Sequence, residues 1–231
     1  ATSCFFIDLA LHNRLWALGV NSIYICAPEF LVQTLTQNFA LDPPWAFDKR
    51  MMETSYNSLL ALTFCKESDL PLATKASIPL GGHWDGYRLA FDLGGSDLKV
   101  VAVKNGVVVY AAEIPWSPKI QEDPRYHIDV IRGALRIAAA HLPQIDAIGG
   151  SAAGIYVANE PRVASLFNKI PTEQWGVVKA IFTIISREFG GVPVVVENDG
   201  GITALAAAMS LKKGGILGIA GGTSLAAGYA N

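Results

Sequence analysis

The segment from Leu89 to Val103 constrains the fold of this chain more than any other part of its sequence. It reads LAFDLGGSDLKVVAV, two apolar and β-branched runs separated by a short glycine-containing stretch. Runs of this kind on either side of a turn predict the two strands of a β-hairpin. Gly94 and Gly95 have no Cβ, so their backbone N–H groups can approach anionic oxygens closely. The segment therefore predicts a hairpin whose turn either holds phosphate or is only a tight turn.

Polar side chains around this turn favour the phosphate interpretation. Asp92 ends the first strand with a carboxylate that can hold a hydrated Mg²⁺. Ser96 adds a hydroxyl, and Lys99 adds a cation close to the turn. A short pattern of this type is a hypothesis that the rest of the chain must support.

The composition is typical of a folded protein with a substantial core. Of the 231 residues, 51% are hydrophobic and 16% are charged, which separates the chain from disordered proteins. No segment has the roughly 18 uninterrupted apolar residues of a membrane span. The apolar patch from Cys4 to Leu11 lacks the basic leader and the cleavage site of a signal peptide. We therefore expect a soluble, cytoplasmic protein with no membrane partner.

Charge and cysteine content exclude further classes of function. The net charge is −2 and basic residues are not clustered, so we expect no nucleic-acid partner. Cys4, Cys26 and Cys65 lack the CxxC or histidine-paired spacing of a metal site. They are expected to be reduced, buried thiols.

The chain has two regions of different composition and pattern, which predict domains at 1–86 and 87–231. The first is rich in aromatic residues and proline and shows no recognisable chemistry; its isolated His12 and His83 are expected to be packing or surface residues. Its apolar spacing and its prolines predict helices at 9–18, 28–39 and 48–62, a strand at 22–26, and a break at Pro43-Pro44.

The second region has a regular α/β pattern. Strands are predicted at 87–93, 98–104, 107–114, 147–149, 192–196 and 217–220, a loop at 150–154, and helices at 128–141, 173–189 and 202–211. Asn105-Gly106 supplies a tight turn between the second and third of these strands. The pattern predicts a mixed sheet with helices.

Three loops in this region follow buried strands and carry small or acidic residues. The first is the turn after Asp92, the second is Glu197-Asn198-Asp199, and the third is Gly221-Gly222-Thr223-Ser224. Ligands of open α/β sheets collect at the carboxyl ends of strands. Two glycine-rich turns and a carboxylate are what phosphoryl transfer to an alcohol requires, because the turns position the phosphates and the carboxylate accepts the hydroxyl proton. Asp and Asn also favour helix N-caps, so the second loop is either a catalytic segment or a cap.

The three segments together resemble the ROK family of sugar kinases and repressors, within the actin/hexokinase ATPase superfamily. FDLGGSDLKVVAV is similar to the first phosphate loop of that family, VVVENDGGITALAAA to its catalytic segment, and LGIAGGTSLAAGY to its second phosphate loop. AIGGSAAGIYV is similar to the intervening loop that meets the sugar. The resemblance covers 88–231. It implies an actin-like (ribonuclease H-like) ATPase lobe with a mixed sheet, here preceded by a smaller α/β region.

The resemblance also implies roles for individual residues, with a sugar, ATP and Mg²⁺ as ligands. Asp199 would be the general base, and Asp92 would hold Mg²⁺ through water. The implied sugar contacts are Asn198, Glu197, Asn168 and Gly154. The implied phosphate contacts are Gly94, Gly95, Ser96, Lys99, Gly222, Thr223 and Ser224.

Several features depart from the family pattern and leave alternatives open. Ser224, Ala226 and Ala227 replace glycines of the second phosphate loop, and the cysteine-rich zinc motif has no counterpart. The altered second loop favours a non-catalytic, sugar-sensing relative, whereas the intact Glu-Asn-Asp favours a kinase. A repressor with a DNA-binding head is a third alternative, for which the first region offers no convincing helix-turn-helix.

The end of the chain carries a further expectation. The second lobe would consist of one strand and a turn, from Leu217 to Asn231. A lone strand cannot pair its backbone groups, so either more polypeptide follows or a second molecule, as in a homodimer, covers this strand.

Overall fold

The computed structural model describes residues 2–41, 43–72, 81–221 and 225–231. They belong to two compact units, 1–78 and 79–231. Within these described ranges, no helix is both long enough and apolar enough to cross a membrane.

The N-terminal unit is a small α/β assembly. It contains α1 (Thr2–Leu18), β1 (Ser22–Ile25), α2 (Glu29–Leu41), α3 (Pro43–Tyr56) and β2 (Ala61–Phe64). The two strands pair in parallel, with Ser22 opposite Ala61. A small core forms around four buried side chains: Leu15, Trp45, Met52 and Leu60.

Two predictions for this unit change in detail. The break at Pro43-Pro44 is the start of α3, because a proline has no N–H to lose in the first helical turn. The helix predicted to reach Leu62 ends at Tyr56, where Asn57 takes a positive φ of 53°. The residues after it form β2, because pairing with β1 outweighs their helical spacing.

His12 is a packing residue, as expected, but it belongs to a polar cluster. Its Nδ1 hydrogen-bonds to the carboxylate of Asp48, and its Nε2 lies 3.6 Å from Asp8. The indole N–H groups of Trp16 and Trp45 donate to Asp48 and Asp8 over 2.8 and 2.9 Å. These contacts connect α1 to α3.

The C-terminal unit is built on a mixed five-stranded sheet in the order β5-β4-β3-β6-β9. Its strands and helices are β3 (Tyr87–Leu93), β4 (Asp97–Lys104), β5 (Val107–Pro115), α4 (Pro124–Ala139), β6 (Ala147–Ala152), β7 (Ile155–Val157), β8 (Glu160–Val163), α5 (Trp175–Glu188), β9 (Val194–Asn198), α6 (Asp199–Leu211), β10 (Ile216–Gly221) and β11 (Leu225–Ala230). The strands β3, β4 and β5 are antiparallel neighbours, whereas β6 and β9 run parallel to β3. The predicted α/β class with a mixed sheet is confirmed.

One face of this sheet forms the main core. Alternate residues of β3, such as Leu89 and Phe91, are buried against α4 and α5, and Phe91 stacks on Phe182 with ring centroids 5.9 Å apart. The loop predicted at 150–154 is partly strand, because β6 continues to Ala152. At Gly150 a Cβ would lie 2.4 Å from the Phe91 ring, so only glycine lets β6 pass this ring.

The chain after α6 forms a hairpin, which corrects the prediction of a lone strand and a turn. The strands β10 and β11 pair in an antiparallel register, with Gly218 opposite Gly228. A Cβ on Gly218 would lie 2.3 Å from the backbone N of Ala204, so the hairpin packs directly on the backbone of α6. The opposite face exposes apolar side chains: Leu217, Ile219, Leu225 and Tyr229.

Candidate active site

The turn between β3 and β4 is held rigidly by its own backbone and by one tryptophan. The backbone N of Gly94 donates to the carbonyl of Asp97 over 3.0 Å, and a Cβ on Gly94 would lie 2.7 Å from that oxygen. Trp116, which is buried, donates from its indole Nε1 to the Gly94 carbonyl (2.9 Å) and from its backbone N to the Ser96 carbonyl (3.0 Å). The predicted phosphate turn is therefore fixed from beneath by the chain that follows β5.

The charged groups next to this turn are paired with each other. The Nζ of Lys99 lies 2.5 Å from Oδ1 of Asp97, and the Ser96 hydroxyl donates to Oδ2 over 3.1 Å. These two hydrogen bonds, the one from Lys99 first, lower the pKa of Asp97. The bond to Asp97 in turn raises the pKa of Lys99. Lys99, predicted as the cation for phosphate, is thus engaged by a carboxylate of its own strand.

Asp92 lies on the face of the sheet opposite the main core. It is in register with Lys99 of β4 and with Ser151 of β6. Within the described ranges its carboxylate forms no hydrogen bond or ion pair, although Lys99 beside it does. Free carboxylate oxygens facing a cleft suit a magnesium ion that keeps most of its waters. The described residues contain no cluster of three metal-ligating side chains, so such an ion would depend on water and phosphate for its other ligands.

The start of α6 shows which side chain of Glu197-Asn198-Asp199 caps the helix. The side chain of Asn198 accepts a hydrogen bond from the backbone N of Gly200 (2.9 Å), which makes Asn198 the N-cap. Its Nδ2 also donates to the carbonyl of Gly154 over 2.8 Å. The side-chain cap of α6 is therefore Asn198, and Asp199 follows it in the first turn of the helix.

Asp199 has an unused acceptor. Its Oδ1 is buried without a hydrogen-bond partner in the described structure, and the residue lines the cleft described below. Tyr156 lies near it and donates to the Ala153 carbonyl over 3.2 Å. Burial and, to a smaller degree, the charge of Asp199 raise the pKa of this phenol, which stays protonated. A buried acceptor without a donor is unfavourable, so Asp199 is suited to receive a hydroxyl from a ligand.

A cleft of about 750 Å³ brings these groups together on the open face of the sheet. The predicted residues that line it are Asp92, Gly94, Gly95, Ser96, Lys99 and Asp199. It is also lined by Lys119 and Ser165, which the sequence patterns did not indicate because both lie in short 3₁₀ turns with no motif of their own. All of these residues belong to the C-terminal unit.

The four predicted sugar contacts lie outside this lining. Asn198 and Gly154 bind each other, and Asn168 is exposed at the end of the 3₁₀ turn Ser165–Phe167. Glu197 is in register with Ser151 on the same face as Asp92. Its side chain is largely exposed, yet its carboxyl is partly shielded from water, which raises its pKa. These four roles stay predictions, and Gly222, Thr223 and Ser224 lie outside the described residues.

His127 supports one wall of the cleft from behind. It is fully buried on α4, and its Nε2 donates to the carbonyl of Leu166 over 3.0 Å. Its Nδ1 is buried without a partner among the described residues. The rings of Phe167 and Trp116 lie 4.9 and 5.9 Å away. Removal from water therefore lowers the pKa of His127.

This histidine predicts a pH dependence of stability. The pKa of His127 is lower in the folded protein than its ordinary value of 6.5. As the pH falls through 6.5, the unfolded chain therefore binds more protons than the folded protein does. We expect the free energy of unfolding to have its full value above pH 6.5 and to decrease as the pH falls below 6.5. Denaturation in urea between pH 7.5 and 5 measures this slope, which His127→Phe should reduce.

The exposed His141 supplies the matched control for that experiment. If His127→Phe and His141→Phe change the slope equally, His127 is not its source.

Comparison with known proteins finds partial structural likeness only. No family model and no curated protein matches the sequence. Among solved structures, a ROK hexokinase from Thermus thermophilus matches with a TM-score of 0.40 and 20% identity, over 53% of this chain and 37% of that chain. A glucokinase from Parabacteroides distasonis matches with a TM-score of 0.40 and 18% identity, over 55% of this chain and 34% of that chain. A ROK-family transcriptional regulator, a homologue of the E. coli MLC protein, matches with a TM-score of 0.43 and 18% identity, over 62% of this chain and 36% of that chain.

The chain thus spans little more than a third of the length of these proteins. A hexokinase, a glucokinase and a transcriptional regulator all occur among them, so the activity has to be inferred from this chain's own residues. Two of these matched structures, the hexokinase and the transcriptional regulator, are described as ROK proteins, and each is similar to this chain over part of its length only.

Proposed function

We propose that this chain transfers the γ-phosphoryl group of ATP to a hydroxyl group of a sugar. The observation that carries this proposal is that Asp199 and the turn 94–96 line one cleft, although they are far apart in the sequence. The reaction requires a carboxylate that can accept a proton and a turn that can hold phosphate, and here both face the same cleft. Both lie within the proposed domain 87–231.

The reaction assigns a task to each of these residues. Asp199 accepts the proton of the attacking sugar hydroxyl, whose oxygen forms a bond to the γ-phosphorus. The bond from that phosphorus to the bridging oxygen breaks, and ADP leaves with the electron pair. The turn 94–96 positions the phosphates through the backbone N–H groups of Gly95 and Ser96, because the N–H of Gly94 and the hydroxyl of Ser96 are bonded to Asp97.

Magnesium fits the residues present. Asp92 would hold the ion through water, since its carboxylate faces the cleft and has no other partner in the described structure. The bound ion would neutralise charge on the phosphates.

The part of the site proposed to bind the sugar, which is the phosphoryl acceptor, is positioned by the start of α6. Asn198 connects the Gly154 carbonyl to the first turn of the helix and so holds Asp199 in the cleft. The neighbouring groups proposed to meet the sugar are those of Glu197, Asn168 and Gly154.

A sugar sensor without transfer activity is the second candidate. One observation favours it: Ala227, where the related loop has a glycine, packs its backbone against α6, since a Cβ on Gly200 would lie 2.4 Å from its carbonyl carbon. The side of this part of the hairpin that faces α6 is therefore filled by helix packing.

One experiment tests both candidates. The chain is incubated with MgATP and a panel of hexoses and N-acetylhexosamines, and ADP release and sugar phosphate are measured. Thermal shift with each ligand alone measures binding, because a ligand of the native state raises Tm. A kinase gives both shifts and ADP, a sensor gives only the sugar shift, and the absence of any shift would exclude both functions.

A further inference from the structure

Lys119 is the cation of the cleft that has no partner in the described part of the chain. Two lysines line the cleft, Lys99 and Lys119. The amino group of Lys99 lies 2.5 Å from Asp97, whereas Lys119 is half-buried and forms no ion pair with any described residue. A lysine that approaches a cleft without a carboxylate partner is available to an anionic ligand.

The position of Lys119 is set by a rigid piece of backbone. It lies in the 3₁₀ turn Pro118–Ile120, which begins shortly after the Trp116 that is bonded to the phosphate turn. The side chain of Gln121 donates back to the Ser117 carbonyl over 3.1 Å, and the backbone N of Ser117 donates to the Tyr126 hydroxyl over 3.0 Å. The backbone that presents Lys119 is therefore ordered before any ligand arrives.

The same 3₁₀ turn contacts the wall of the cleft that is proposed to meet the sugar. It packs against the turn Ser165–Phe167, whose Ser165 also lines the cleft and which ends at Asn168. Lys119 thus belongs to the chain segment that connects the phosphate turn with the wall proposed to meet the sugar.

The balance of charge indicates what Lys119 binds. Asp92, Asp97 and Asp199 line the cleft, and Lys99 pairs with Asp97 and lies beside Asp92 on the neighbouring strand. Mg²⁺ at Asp92 would offset part of the phosphate charge, but Asp199 has no ion-pair partner among the described residues. A phosphoryl group that approaches this carboxylate gains further stabilisation from a positioned cation. We propose that Lys119 binds the phosphoryl group as it passes from ATP to the sugar, an inference that rests on the proposed function.

The test compares three variants with the wild-type chain. Calorimetry measures the binding of inorganic tripolyphosphate with Mg²⁺, of a non-hydrolysable ATP analogue, and of the sugar alone. Lys119→Ala is expected to weaken the binding of both polyphosphates by about 10- to 100-fold, because one charge-assisted contact is lost. The affinity for the sugar should stay unchanged. Lys119→Arg should retain most of the affinity because it keeps the charge. Lys104→Ala is the control, since this exposed lysine ends β4 at the edge far from the turn.

The outcomes separate this inference from the proposed function. Equal polyphosphate affinity in Lys119→Ala and wild type would overturn the inference, as would a wild type that binds no tripolyphosphate. A loss confined to sugar affinity would also overturn it, because Lys119 would then serve an anionic group of the acceptor. If Lys119 governs tripolyphosphate binding but the wild type transfers nothing to any sugar, the proposed function fails and the phosphate contact of Lys119 stands.

Discussion

Asp199→Asn is expected to lower kcat by about 10²- to 10⁴-fold, the usual contribution of a general base. Asparagine has the same size but cannot accept the hydroxyl proton. The helix should survive the change, because Asn198 and not Asp199 caps α6. Sugar affinity, measured by calorimetry, should stay close to the wild-type value while ADP release falls.

Asp123→Asn is a matched control for this substitution. Asp123 also stands at a helix start, where its side chain accepts from the backbone N of Arg125 over 2.9 Å, and it does not line the cleft. Asparagine is an equally good N-cap, so this variant should keep its turnover. If Asp199→Asn reduced sugar binding and turnover to the same extent, Asp199 would be a structural residue and not the base.

Trp116→Ala is expected to lower the free energy of unfolding by about 3–5 kcal/mol, as for other large aromatic side chains removed from a core. The side chain is buried between the phosphate turn and α4, where it contacts the His127 ring. Its removal also leaves the Gly94 carbonyl without the indole donor. Urea denaturation followed by circular dichroism measures the loss.

Trp116→Phe separates packing from the hydrogen bond. It keeps a ring in the core but removes the indole N–H, so it should cost about 1 kcal/mol and weaken MgATP binding through a looser turn. Trp84→Ala is the control, since Trp84 is 58% exposed and surface changes of this type are usually within about 0.5 kcal/mol. A Trp116→Phe variant with unchanged stability and unchanged MgATP affinity would show that the bond does not hold the turn.

Elements whose own residues carry a strong local pattern could be predicted from the sequence. The strands β3 and β4 alternate fully buried with less buried residues, and β4 and β5 meet at the Asn105-Gly106 turn. Both signals act over a few neighbouring residues. The strand β2 was hidden in a stretch with helical spacing, because its partner β1 is remote in the sequence. The strand β11 was missed because its alanines and glycines are weak strand formers, and it exists through pairing with β10 and packing on α6.

The sequence by itself determined the glycine turn after Asp92, the α/β order of the elements, and the presence of carboxylates at strand ends. Those features depend on backbone freedom and hydrophobic period, which neighbouring residues set. Only the tertiary structure decided which polar groups are free to meet a ligand. Asn198 is the cap, and Oδ1 of Asp199 has no partner among the described residues. Lys99 pairs with Asp97, while Lys119 lines the cleft. Hydrogen bonds and ion pairs form through space, between residues that the fold brings together, so no local pattern could assign them.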